Sequence, residues 1–199
     1  RPILRGRDIR RYSYDWAGLW LINTHNGIRG KNDRIHIEDY PAVKAHLDQF
    51  WDKIKDRTDQ GETPYNLRNC AYLEDFFKPK IVWKAVGKNL SFSLVPSGIF
   101  LTAPASFISA GDANEYILAI LCSSVAQYFI YKNSDRTGAG DVMLNIQSLI
   151  PFPIPKGRIA QKAVFDVLKT KQDDNVIEDT IYKLYGFSED EILYIKSVE

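Results

Sequence analysis

The sequence predicts an α+β domain, with a mixed or antiparallel β-sheet core, packed helices and a short C-terminal helical tail. Three observations carry this expectation. Residues 78–102 hold short apolar runs bounded by Pro and Gly, the pattern of strands. Residues 39–57 and 113–132 repeat apolar side chains at three- and four-residue spacing, the pattern of helices. Beyond Lys156-Gly157 the chain turns helical in pattern and acidic in balance.

In order, residues 1–14 carry five arginines, and Trp16 to Ile22 is an apolar, aromatic run expected to form a short buried strand. Asn23 to Arg34 is a polar loop with turn signals at Asn26-Gly27 and Gly30. A helix over 39–57 would start at Asp39 as cap with Pro41 early, and would align Val43, Leu47, Phe50, Trp51 and Ile54 on one face. Tyr65, Leu67, Tyr72, Leu73, Phe76 and Phe77 are expected to pack inward. Lys80–Lys84 is a short strand, and Ser91–Val95 and Ile99–Thr102 would form a β-hairpin about Pro96-Ser97-Gly98. Asp112 would cap the helix over 113–132, and Ser134–Gly140 is a loop. Alternating prolines make Ile150–Pro155 an extended strap. Helices are expected at 159–171 and 175–185, with Gly186 as a stop and Ser188-Glu-Asp-Glu191 as a capping box. The expected division is 1–156 for the main domain and 157–199 for a helical appendage. Trp16, Trp20, Trp51 and Trp83 are expected in the core.

Cys70 and Cys122 belong to no CxxC pair, which argues against a zinc site or a disulfide framework and fits a reducing, cytoplasmic compartment. No apolar run reaches the roughly 18 residues of a membrane span, so no membrane partner is expected. The first residue is Arg rather than Met, so the sequence is expected to be a piece of a longer polypeptide. The net charge is only +1, but its distribution is uneven: residues 1–34 carry +5, and residues 78–110 hold four lysines and no acid. A fold joining these stretches would create a face for phosphates. Charge alone favours an ordinary solvated surface, because blocks of this size are common.

Missing motifs narrow the chemistry. The sequence has no adjacent prolines, hence no Asn/Asp-Pro-Pro-aromatic tetrad of the kind that stacks an extruded base. No Gly-rich strand-to-helix turn suited to adenosylmethionine or a dinucleotide is present. No lysine has an acid two positions before it, as the common restriction-nuclease core requires, and HExxH, GxxxxGK[ST] and GxSxG are absent. The fragment is therefore expected to be non-catalytic, with no cofactor and no small-molecule substrate of its own.

Several phrases recur together in order: Pro2-Ile-Leu-Arg-Gly-Arg-Asp-Ile-Arg-Arg-Tyr12, Gly18-Leu-Trp-Leu-Ile22, Tyr40-Pro-Ala-Val43 with Leu47, Phe50 and Arg57, Phe77-Lys-Pro-Lys-Ile81, Tyr116 to Ser123, and Ile150 to Pro155. This set resembles the TaqI-like C-terminal specificity domain of type IIG restriction-modification enzymes and related bacterial adenine methyltransferases. One departure is Cys122, where that pattern more often has Asn. The resemblance covers residues 1–156 and implies a target recognition domain. Its partners would be double-stranded DNA and an upstream methyltransferase domain of the same chain. S-adenosylmethionine, and Mg2+ if a nuclease is present, would belong to the parent protein.

In such a domain the matched phrases are scaffold, and the unmatched loops are expected to read DNA. The candidates are Asn26, Arg29, Lys31, Asn32 and Arg34 in one loop, Lys84, Lys88 and Asn89 in a second, and Arg136 and Thr137 in a third. Arg and Asn make bidentate contacts to guanine and adenine, and Lys neutralises phosphate. Arg5, Arg7, Arg10 and Arg11 could instead meet the upstream domain, and Lys78 and Lys80 suit phosphate or structural roles. The alternative is a protein-interaction or dimerisation domain of a restriction or phage-defence complex that makes no base contacts.

Overall fold

Ile81-Val82-Trp83 is apolar at successive positions, as in a strand covered on both faces. The computed structural model, which describes residues 1–88, 90–169 and 173–197, places this strand at the centre. The strands are β1 (Ile3–Leu4), β2 (Lys80–Lys84), β3 (Val86–Gly87), β4 (Phe92–Val95), β5 (Phe100–Leu101), β6 (Ala105–Ile108), β7 (Asp135–Arg136) and β8 (Val142–Met143). The helices are α1 (Pro41–Asp48), α2 (Trp51–Ile54), α3 (Asn114–Leu121), α4 (Ser124–Asn133), α5 (Ile146–Leu149), α6 (Arg158–Lys169), α7 (Asp174–Tyr185) and α8 (Glu189–Lys196). No helix among the described residues is long and apolar enough to cross a membrane.

The fold is α+β. The main sheet has the order β4-β2-β6, all antiparallel, with Trp83 opposite Phe92 and Lys84 opposite Ala105. A parallel pair joins β1 to β5, and a ribbon of order β3-β8-β7 completes the set. Alternation along β2 serves two cores. Ile81 and Trp83 join Tyr116, Ile120 and Val125 of the helical layer, while Val82 joins Leu4, Ile9, Val95 and Ile99. The Trp83 indole N–H donates to the Leu144 carbonyl at 3.1 Å, so the polar edge of this fully buried ring is satisfied.

The tail packs into the same interior. Val164, Ile177, Ile181 and Tyr182 share a cluster with Trp83 and Ile120. Glu178 of α7 accepts from the Ser124 backbone N–H at 3.0 Å and the Ser124 hydroxyl at 2.8 Å, filling an open donor at the start of α4. Arg11 donates to the Cys122 carbonyl at 3.1 Å, pairs with Asp174, and lies 3.8 Å from Glu178. This clamp ties the N-terminal segment, the α3–α4 corner and the tail together.

Several elements differ from expectation for identifiable reasons. Trp16 to Ile22 is not a buried strand, because Gly18 adopts φ +72° and breaks the extended run. The segment touches the chain start through Ile3 N–H to Leu19 O and Leu21 N–H to Arg1 O, leaving Trp16, Leu19 and Trp20 exposed. Of the four tryptophans only Trp83 is buried. The 39–57 helix divides at Gln49-Phe50; Val43, Leu47 and Ile54 are half-buried, whereas Phe50 and Trp51 stay exposed. The 113–132 helix divides at Cys122, where Ser123 caps the N-terminus of α4. Strand β4 does not pair with β5. The Pro96–Gly98 turn is drawn toward 73–77, with Gly98 N–H on Phe76 O and Ser97 Oγ on Phe77 O, so β5 leaves the sheet and meets β1. Tyr72 and Phe77 are exposed, whereas Leu73 and Phe76 are buried. The Gly186 stop at φ +72° and the Ser188–Glu191 capping box form as expected.

Lys80 is fully buried, and its ammonium donates to the Phe76 and Lys78 carbonyls, each at 2.9 Å. Burial pulls its pKa down to about 8. Between that value and the unfolded-chain value of about 10.4, the unfolded chain holds a proton that the folded chain has released. Raising the pH through this window therefore stabilises the fold. The urea midpoint of the natural chain should rise from about pH 7.5 to about pH 9.5 relative to that of Lys80→Met. Parallel pH profiles for the two proteins would refute a buried, destabilising ammonium.

Candidate nucleic-acid interface

The loop from His25 to Ile35 is a small hairpin, closed by Ile28 N–H to Asn32 O at 2.9 Å and Ile35 N–H to His25 O at 3.0 Å. Gly27 sits at φ +78°, and an added Cβ would lie 2.6 Å from the Asn32 carbonyl, so the turn requires glycine. Asn66, 1% exposed, pins the hairpin base. Its amide donates to Ile35 O at 2.9 Å and its carbonyl accepts from the Thr63 hydroxyl at 2.7 Å. Arg57 braces the same turn by donating to the Pro64 and Asn66 carbonyls.

Asn26 is committed internally: its amide donates to Asn69 Oδ1 at 2.6 Å and its carbonyl accepts from Glu62 N–H at 2.7 Å. Lys31 pairs with Glu74 at 2.6 Å, and Arg34 with Glu62 at 3.2 Å. Arg29 and Asn32 are exposed with no side-chain partner among the described residues. The hairpin borders an open cavity of about 820 Å3 whose far wall includes Asn69, Cys70 and Ala71.

The second and third candidate loops meet in the ribbon. Strand β8 pairs with β3 on one edge, Gly87 opposite Val142, and with β7 on the other, Arg136 opposite Val142. Lys84 ends β2, and its stem lies over two glycines: an added Cβ at Gly6 or Gly87 would come within 3.1 Å of it. Lys88 is exposed just past β3, and Asn89 lies outside the described residues. Arg136 is exposed, with its guanidinium 3.9 Å from the centre of the Tyr131 ring and donating to Tyr131 O at 3.1 Å. Thr137 closes the β7–β8 turn, its hydroxyl accepting from Asp141 N–H at 3.1 Å.

Cavities that share walls extend from the first hairpin. The 820 Å3 cavity shares Asn26, Gly27 and Cys70 with a cavity of about 200 Å3. That one shares Tyr72, Phe76 and Leu101 with a third of about 370 Å3, which reaches Ala105 and Ile146. Ala105 is the β partner of Lys84, and Ile146 begins α5 just after the ribbon. The three cavities thus share walls between the first hairpin and the start of α5.

Among the described residues, half of the basic side chains of 1–34 and 78–110 pair with a carboxylate within the fold. Arg5 grips buried Asp8 through Nε and Nη2, holding that carboxyl below its usual range. Arg10 pairs with Asp15, Arg11 with the tail, Lys78 with Asp75, and Lys80 is buried. Among the candidate residues, Arg29 on the first hairpin and Lys84, Lys88 and Arg136 in and beside the ribbon have no carboxylate partner among the described residues. Sequence reasoning missed Asn66 and Tyr131. The polar run Asn66-Leu-Arg-Asn69 between aromatic residues could have flagged the first. The position of Tyr131 off the apolar stripe of its helix could have flagged the second.

A braced α+β body thus holds two polar, cationic loop systems. The TaqI-like C-terminal specificity domain family matches residues 1–154, and the chain belongs to that family. The chain is also similar to the type II methyltransferase M.BstVI of Geobacillus stearothermophilus, with 27% identity over 203 residues, covering 98% of this chain and 36% of the relative. The chain therefore spans little more than a third of that relative's length.

Asn66→Ala should strip the hairpin base of its bonds to Ile35 O and Thr63, at a cost of about 1–3 kcal/mol. Thermal denaturation and faster amide exchange at Ile28, Ile35 and Asn66 would register it. Unchanged exchange at those amides would refute the brace.

Proposed function

We propose that this chain is the sequence-reading domain of a larger bacterial, cytoplasmic restriction-modification polypeptide. It binds duplex DNA and holds it for an adenine methyltransferase domain of the same chain. The observation that carries this reading is the family membership, joined to two loop systems that present Arg29, Lys84, Lys88 and Arg136 without a carboxylate partner among the described residues. Cations fix the register on phosphate, and loop side chains meet base edges. The type II methyltransferase named above supports placing methyl transfer in a neighbouring domain. S-adenosylmethionine belongs to that domain, and Mg2+ to the parent protein where a nuclease is present.

Within the candidate loops the roles divide. Arg29, Asn32, Lys84, Lys88 and Arg136 are the side chains offered to DNA. Asn26 and Thr137 set the shape of their loops. Lys31 and Arg34, paired at the rim, meet phosphate by exchanging a carboxylate partner for it.

Arg29→Ala, Lys88→Ala and Arg136→Ala should each weaken DNA binding by the intact polypeptide. A base reader should cost about 1–3 kcal/mol and relax one position of the site, while a phosphate contact should weaken all sequences alike and flatten the salt dependence. Equilibrium binding across a salt series measures both, and full parental affinity in all three variants would refute the assignment. Grafting the whole chain into a relative in place of its counterpart should transfer the methylated sequence. Retention of the recipient's sequence would favour an interaction domain that makes no base contacts.

A further inference from the structure

We infer that the β7–β8 hairpin is a major-groove reader in which Arg136 recognises a guanine, and that Tyr131 is the residue that positions it. This inference rests on the DNA-reading role proposed above. It begins from the shape of the element. Residues 135–143 form the outer hairpin of the three-stranded β3-β8-β7 ribbon, with β7 on its open edge and a tip, Gly138-Ala139-Gly140, that carries no side chain larger than methyl. An exposed β edge with so small a tip is the part of the ribbon slim enough for the major groove. Val142 is buried, which anchors the ribbon's inner strand, while Asp135, Arg136 and Met143 are exposed.

Arg136 differs from the other arginines of the candidate loops. Arg34 is paired with a carboxylate, and Arg29 has no partner among the described residues to order it. The Arg136 guanidinium is stacked at 3.9 Å on the Tyr131 ring, and one of its N–H groups is held by the Tyr131 carbonyl at 3.1 Å. Tyr131 lies in the last turn of α4, where the carbonyl ends of the helix favour a cation. The guanidinium plane is therefore fixed before any ligand arrives, with its remaining donors free. Two parallel donors in a fixed plane match the O6 and N7 acceptors of guanine, and a side chain ordered in advance loses less entropy on binding. A phosphate contact would need the charge but not the plane.

The test is selection of bound duplexes from a randomised library by the intact polypeptide, followed by binding to the selected site. Arg136→Ala should relax one G·C position by about 10- to 100-fold and leave the others sharp. Arg136→Lys, which keeps the charge, should relax it as well. Replacing that guanine by 7-deazaguanine should weaken the natural protein about 10-fold and leave Arg136→Ala unaffected. Tyr131→Leu should relax the same position, and Tyr131→Phe, which keeps the ring, should restore it. If the natural protein selects a consensus but Arg136→Lys retains every position, or 7-deazaguanine weakens both proteins equally, the guanine assignment falls and the broader reading stands. If the natural protein selects no consensus, both fall.

Discussion

Strand β2 is the member on which the arrangement of the candidate surface depends. Its first residue, Lys80, ties the 73–77 turn to the sheet through two carbonyls, and that turn packs beneath the first hairpin. Its fourth residue, Trp83, holds Leu144 and with it the strand that organises the ribbon. Its fifth, Lys84, lies against Gly6 and Gly87. Two loop systems far apart in sequence are thus hung from opposite ends of one five-residue strand, a span of about 16 Å. Because β2 is bonded on both edges and covered on both faces, that span is rigid, and recognition at one end keeps its register with the other.

Charge follows the same logic of constraint. Arg5, Arg10 and Arg11 hold a buried aspartate, a surface aspartate and the tail, so their work is cohesion. The cations left on the candidate loops are few, and each sits on a turn, a strand end or a stacked ring. Such a surface has little capacity for indiscriminate attraction to a polyanion and depends on correct placement of individual groups.

The sequence made the α+β class, strand β2 and the caps of the tail legible, because each rests on local periodicity or local stereochemistry. Its limits lie where distant groups decide. The division of 113–132 depends on Glu178, more than fifty residues away, meeting Ser124. The partner of β5 depends on Phe76 and Phe77 capturing the turn before it. Trp16 and Trp20 have the composition of a core strand, yet one glycine turns the segment outward. In the candidate site, loop position was legible but the state of each side chain was not. Asn26 and Arg29 look alike as candidates, and only the fold shows one engaged at both ends of its amide and the other free.

The clamp between α7 and α4 also bears on heredity. The helix that seats Arg136 begins on a carboxylate contributed by the tail, beyond the stretch that the family shares. A gene segment exchanged at the family boundary would separate that helix from the group that starts it. Crossovers that trade one specificity for another are therefore best tolerated downstream of α7, so the tail should travel with the reader it steadies as one inherited unit.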